Sequence, residues 1–451
     1  MMRSLFSGVA GLKTHQTRMD VIGNNIANVN TTAYKSQSMT FSDLMYQTTQ
    51  AASGANATTG VGGINARQIG LGAKTSAIKT AITQQGSAQS TNDPFDIMIT
   101  GDAFFIVSNG LSNYFTRDGS FYIDGAGNLA MTSTGYNVMG WQVDETTGSI
   151  KQDNVSALRL MTTENMTYPA EATEAATVSG IIDKDDTDVN SDAGKIRNLE
   201  IYDDRGYKYT VRFSIHNAKP GEDTGEFYVQ LDDILGPNGK SIVEAGKSVE
   251  DYATIGDGVK ADMFFNANNG SFNGVGAEGA DNKTIDLKFI DMPNFKTITM
   301  DFSGCSNIAH NGASTVETLR GDAGGLKAGR KVGEMTGIDI QKDGMIYATY
   351  DNGMSRLLGQ IAVATFPNAS GLAKEGDNLY SATQNSGEFD GIGVDITSDG
   401  GYMNTGVLEM SNVDLSSEFT EMITTQRGFQ ANSRIITVSD TLLEELINLK
   451  R

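Results

Sequence analysis

Apolar residues recur every seven positions at both ends of the chain, and nothing constrains the fold more. Leu5, Leu12, Met19 and Ile26 fall seven apart, with Ile22 and Val29 three beyond Met19 and Ile26. Groups seven apart share one face of an α-helix, so the spacing predicts a helix over 4–29. Such a helix is about 40 Å long, and no local segment can bury its stripe. The far end supplies a partner, because Leu415, Met422, Phe429, Ile436 and Leu443 are again seven apart, after Asp414 as candidate N-cap. Phe419, Leu446 and Ile447 widen this second stripe, whereas Gln426, Ser433 and Asp440 interrupt it. Helical stability in proteins comes mostly from packing. Periodicity therefore leaves two readings open: an intramolecular coiled coil, or segments that order when several chains assemble.

Between the helices the pattern becomes that of strands. Residues 93–131, "DPFDIMITGDAFFIVSNGLSNYFTRDGSFYIDGAGNLAM", alternate short apolar runs with Asn-Gly, Asp-Gly and Asp-Gly-Ala-Gly turn signals, which predicts successive hairpins. The same style returns over 337–366. A more acidic block, 145–325, separates them and holds its own candidate strands, "YKYTVRFSI" and "GEFYVQL". At 451 residues the chain is too long for one compact core. The expected fold is mainly β with paired N- and C-terminal α-helices: a discontinuous β-rich core domain carrying an inserted β-rich outer domain. Residues 1–35 and 408–451 form the terminal helical coiled-coil domain, 93–144 and 326–407 the core, and 145–325 the acidic insertion. Residues 36–92, rich in Ala, Gly, Ser, Thr and Gln, make an uncommonly long connection, either a flexible linker or an extended arm that packs on other subunits.

Composition removes several classes of function. A formal charge of −21 argues against nucleic acid, which needs clustered Lys and Arg; the acidic excess reads as a solvated face. Cys305 is the single cysteine, so there is no internal disulfide, and His15, His216 and His310 are scattered. Cys305 and His310 are neighbours in sequence but lack an orienting third group, so a buried thiol is expected instead of a nucleophile. "GLGAKT", 70–75, has Ala73 where a phosphate loop requires glycine. "DTDVNSD", 186–192, has Ser191 in place of the calcium-loop glycine and Arg197 in place of its glutamate, and reads as a solvated acidic turn. No catalytic, metal or cofactor-binding residue is assigned, and no enzymatic activity is expected. "MMRSLFSGVAGLKTHQ" lacks the apolar run and cleavage site of a secretory signal, and no eighteen consecutive residues are apolar. The expectation is a soluble chain, or one that leaves the cytoplasm without a cleaved signal.

"NNIANVNTTAYK", 24–35, puts four asparagines into seven positions where the first helical pattern runs out. It resembles the N-terminal signature of the axial proteins of the bacterial flagellum: rod, hook and hook-filament junction proteins. Asn24, Asn25, Ile26, Ala27, Asn28, Asn30, Thr31, Tyr34 and Lys35 carry the resemblance, while Ala33 stands where the family usually has glycine. Residues 408–451 are similar to the family's C-terminal helix, through Ser411, Asn412, Val413 and Asp414 before it and Gln426, Arg427, Gln430, Ala431 and Asn432 within it. "DPFDIMITGDAFFIV" and "FPNASGLAKEGDNLY" are similar to its core stretches, so the likeness covers about 1–145 and 330–451. The long arm and the large insertion look most like the hook members, with distal rod and junction proteins as alternatives. The resemblance implies a subunit of a flexible curved tube that couples rod to filament and transmits torque, with its terminal helices near the axis. Its implied partners are further copies of itself, the rod protein, the hook cap, the hook-filament junction protein and the type III export apparatus. Neither a cofactor nor membrane insertion is implied. In such a tube Asn24, Asn25, Asn28 and Asn30 are expected to satisfy adjacent chains, and Asn30 to take the left-handed turn that ends the helix. Cys305 lies where the family tends to be apolar; core packing is expected, with a crosslink between subunits as the alternative.

Overall fold

The computed structural model describes residues 2–449 except 55–59, 61, 145–146, 221–223, 245 and 277–280. Part of the 36–92 connection and the first two residues of the acidic block therefore lie outside the described residues.

Helix α1 (Met2–Ala27) and helix α2 (Leu415–Asn448) bracket a chain otherwise built of strands. Helix α2 begins where its N-cap predicts: the Asp414 carboxylate accepts from the amides of Ser416 at 2.9 Å and Ser417 at 3.5 Å. The helices pair antiparallel, Arg18 reaching Glu421 at 2.9 Å and Asn25 reaching Glu418 at 2.8 Å. They meet along the heptad face: Leu5, Gly8, Leu12, His15, Met19, Ile22 and Ile26 of α1, and Met422, Thr425, Asn432, Ile436, Ser439 and Leu443 of α2, are buried or half-buried. The closest approach lies along Gly8 and Gly11, which face Ile436 and Asn432, and Gly428, which faces His15. Glycine has no side chain to hold two backbones apart, so the pair closes where side chains are smallest. Of the heptad residues Ile22 is buried, and Leu5, Leu12, Met19, Ile26, Val29, Met422, Ile436 and Leu443 are half-buried. Leu415, Phe419 and Phe429 remain exposed, as do Leu446 and Ile447.

The 36–92 connection is a strand ribbon where described. Gln37–Asp43 pairs antiparallel with Ala73–Thr80, and Tyr46–Gln50 with Arg67–Gly70. Its base leans on α1: the Phe41 ring lies 5.4 Å from that of His15 and 5.3 Å from the Arg18 guanidinium. The period-two burial of Ala73–Thr80 agrees with one face turned to the helix.

Two compact units divide the chain. The first comprises Met1–Thr162, Ile338–Ala348 and Arg356–Arg451. Its main sheet runs through Ser355–Ile361, Asn137–Gln142, Phe104–Ser108, Asn113–Thr116, Leu379–Ser381 and Ala373–Gly376 in that order. Two predicted hairpins form. The Asn109 side chain accepts from the amides of Leu111 and Ser112 to turn Phe104–Ser108 into Asn113–Thr116, and Asp124 turns Phe121–Ile123 into Leu129–Met131. Asp118-Gly119 turns no hairpin, because Asn113–Thr116 and Phe121–Ile123 do not pair. Gly119 instead lets another strand approach, since a Cβ there would stand 1.7 Å from the Ile97 carbonyl oxygen. Phe104, Ile106, Phe115, Trp141 and Tyr380 fill the core, with the Trp141 indole donating to the carbonyls of Asp153 and Ile392.

The second unit comprises Thr163–Gly337 and Thr349–Ser355, whereas the shift in composition falls at 145 and 325. It holds two five-stranded sheets. The candidate strands at 207–215 and 225–231 are Lys208–Asn217 and Glu226–Leu235, neighbours in one of them. Val178, Phe213, Val229, Met263 and Phe302 share a core with Cys305. The acidic turn at 186–192 is only partly solvated. Asp183 and Asp186 are buried, and the former accepts from the amides of Asp185, His310 and Gly312. Asp186 accepts from Asp188 and Ser314 and lies 3.4 Å from the Lys195 ammonium. Charge counted along a sequence does not reveal which carboxylates will be turned inward to tie two loops.

Candidate assembly junction

At the end of α1 the chain must reverse into the first ribbon strand, and the signature residues make that reversal. Asn25 is 0% exposed. Its amide donates to the Gln37 carbonyl at 2.7 Å and to Glu418 Oε1 at 2.8 Å, while its oxygen accepts from the Gln37 amide at 2.9 Å and the Tyr34 hydroxyl at 3.3 Å. Both donors and both acceptor sites of the side chain are used, which explains an amide in place of a carboxylate. Asn24 donates to the Tyr34 hydroxyl at 3.2 Å, and Asn28 donates to the Asn24 carbonyl at 2.9 Å. Thr31 closes the turn on Asn28 Oδ1 at 3.1 Å.

The same turn corrects the place of the left-handed residue. Asn24, Asn25 and Asn28 bond within the chain, leaving Asn30 exposed, and the left-handed residue is Ala33 at φ 54°, three places beyond Asn30. The reversal comes later because Thr31 and Thr32 first carry the chain past the helix end; the Ala33 amide then donates to the Glu409 carbonyl at 2.8 Å.

The C-terminal signature enters the same place. Asn412 Oδ1 accepts from the Ser36 amide at 2.7 Å, and its Nδ2 donates to the carbonyls of Ala81 at 2.9 Å and Gln84 at 3.0 Å. Ser411 Oγ accepts from the Val413 amide at 3.3 Å, just ahead of the Asp414 cap. Beneath them lies a buried ionic cluster. Lys35 Nζ stands 2.7 Å from both Glu409 Oε1 and the Gln84 carbonyl. The Arg117 guanidinium is 3.8 Å from Glu409 Oε2, donates to the Gly101 carbonyl and lies 5.1 Å from the Phe104 ring centroid. Burial pulls the pKa of Lys35 and of Arg117 down, and the Glu409 carboxylate opposes it in both. Neither Glu409 nor Arg117 carries a sequence signal, since each lies far from Lys35 along the chain. The clue was Lys35 itself, a cation inside an otherwise polar-neutral motif.

Farther along α2, Gln426, Arg427, Gln430 and Ala431 face outward, with Arg427 donating to Gln430 at 3.3 Å. Asn432 faces α1 and donates to the Gly428 carbonyl at 3.0 Å. The arrangement is a mechanical joint: it binds helix ends, ribbon and sheet into one piece. Among the described residues no group of His, Cys, Asp or Glu is placed to hold a metal ion, and no helix is long and apolar enough to cross a membrane.

The segments that meet at this joint also carry family likeness. Residues 5–35 match the family described as "Flagella basal body rod protein", and 404–449 match "Flagellar basal body rod FlgEFG protein C-terminal". Residues 98–180 match "Flagellar hook protein FlgE/F/G D1 domain". The chain is 32% identical to the flagellar hook protein FlgE of Treponema pallidum and 34% identical to that of Borreliella burgdorferi, with 100% of each chain covered. The chain belongs to the flagellar hook protein family. It is also 30% identical to the flagellar basal-body rod protein FlgG of Bacillus subtilis, again over 100% of both chains. Hook and rod members thus share a full-length framework, and the more similar full-length relatives are hook proteins. Membership makes the chain a structural subunit and not an enzyme.

Proposed function

We propose that copies of this chain polymerise into the hook, a flexible curved tube that couples the basal-body rod to the filament and transmits torque. One observation carries the reading: α1 and α2 turn their heptad faces toward each other and leave a second set of apolar residues outside. Phe6, Val9, Ile423, Ile435, Val438 and Leu442 are each at least 44% exposed. A stripe of that extent on paired helices needs neighbours, and further copies supply matching ones. Leu415, Phe419 and Phe429 of the helix seam, which stay exposed, belong to these contacts between chains, together with outward-facing Gln426, Arg427 and Gln430. Packed helices near the axis transmit torque, while acidic outer units slide because like charge keeps them from sticking. Rod protein, hook cap and junction protein bound the tube, and the type III apparatus exports the chain to this cell-surface appendage.

Electron microscopy of the purified chain tests this. The full chain is expected to form tubes, and chains lacking 2–29 or 415–449 to stay soluble monomers; tubes from either truncation refute the role given to the helices. Appendages labelled with an antibody against the second unit separate the readings of curved hook and straight rod.

A further inference from the structure

We propose that the cleft beside Tyr34 receives a carboxylate side chain from a second copy of the chain, with Lys374 as the cation that holds it. The inference rests on the polymer reading above and names one of its contacts. The cleft, about 190 Å³, is lined by Asn28, Tyr34, Lys374, Asn378 and Tyr380, with Asp377 on its wall. It opens onto the signature turn, where Asn378 donates to the Thr32 carbonyl at 2.9 Å.

Lys374 is exposed at the cleft and meets a ring and a carbonyl there. Its ammonium lies 4.8 Å from the Tyr34 ring centroid and donates to the Lys35 carbonyl at 3.3 Å. Among the described residues no carboxylate lies within ion-pair distance of it, although Asp377 shares the cleft. Desolvation lowers the pKa of Lys374, and no opposite charge counters it. An arriving carboxylate opposes that desolvation and adds an ion pair to the lysine.

The occupant follows from charge. At −21 the chain repels free anions from solution, so a small carboxylate or phosphate gains little by entering alone. A neighbour in a polymer is already held by helix contacts, which raise the effective concentration of its side chains. Its surface is rich in Asp and Glu, so a carboxylate is the group it presents.

Carbodiimide joins an amine to a touching carboxylate without a spacer. Polymer grown from a mixture of light and nitrogen-15-labelled chains is treated and mapped by mass spectrometry. The expected product joins Lys374 of one isotope to an Asp or Glu of the other; Lys374 left unreacted, or joined only within one chain, overturns the inference. In parallel, Lys374→Gln is expected to raise the protein concentration needed for polymerisation about tenfold, and Lys374→Arg to stay within about twofold of wild type. The thermal midpoint of the monomer reports whether each variant is folded, and the crosslink uses the unaltered sequence in any case. If wild type polymerises and Lys374→Gln does so at the same concentration, the inference alone fails. A wild type that never polymerises overturns the polymer reading and this contact together.

Discussion

Ala33 holds a backbone conformation that a Cβ opposes, at φ 54°, and does so because its amide must reach the Glu409 carbonyl. Glycine removes that strain and adds some unfolded-state entropy, so Ala33→Gly is expected to stabilise the first unit by about 1 kcal/mol in denaturant titration. The sequence marked Ala33 as unusual beside its family, but only the dihedral explains why. Glu409 shows the opposite case. Removing it leaves Lys35 and Arg117 buried without an anion, so Glu409→Ala is expected to cost about 3–5 kcal/mol in the same titration. Cys305 behaves as its sequence context suggests. Burial, with Asp301 nearby, pushes the thiol from 9.0 up to about 12, and Sγ lies 3.4 Å from the Val178 carbonyl. Roughly a thousandth of the ordinary thiolate remains, so alkylation at pH 8 is expected to be at least a hundredfold slower in the native chain than in denaturant.

The helix pair was legible as two elements and in part as an interface, because most heptad residues are buried or half-buried. A heptad of Leu, Met, Ile and Phe marks a face that seeks burial, but it does not say whether the same chain or another covers it. Glycines settled the first contact. A Cβ on Gly11 would stand 2.7 Å from the Asn432 amide, so Gly11→Val is expected to part the helices and reduce their amide-exchange protection, while the second unit melts unchanged. The acidic turn was legible in part: Asp188 and Asp192 are exposed, but Asp186 and neighbouring Asp183 turn inward, and carboxylates look alike in sequence. Burial alone raises the pKa of Asp183 and Asp186, but the backbone amides they accept outweigh it and hold both below the ordinary 3.8. A lowered folded value stabilises above the unfolded value and is lost as pH falls through the folded one. Asp183→Asn is therefore expected to lower the melting temperature of the second unit at pH 7, with the deficit shrinking below pH 3.8 in calorimetry.

At the scale of the molecule, a strand-rich unit interrupted by a second one leaves the assembly joint in residues that converge from both ends. A chain whose 163–337 segment is replaced by a short linker is expected to keep that joint and still form tubes, with altered bending stiffness in fluctuation measurements. Unchanged stiffness contradicts the sliding role proposed for the second unit. The sequence by itself determined the two helices, their N-cap, the strand-rich interior and the family, because periodicity, capping and turn chemistry act between residues a few positions apart. Tertiary structure alone decided that Asn25 turns inward, that the helices close on glycine, and that Lys35 finds Glu409 across a separation of 374 residues. Those partners are chosen by burial in a shared interior, and a buried charge or amide is satisfied by whatever the fold brings within 3 Å, however far away it lies along the chain.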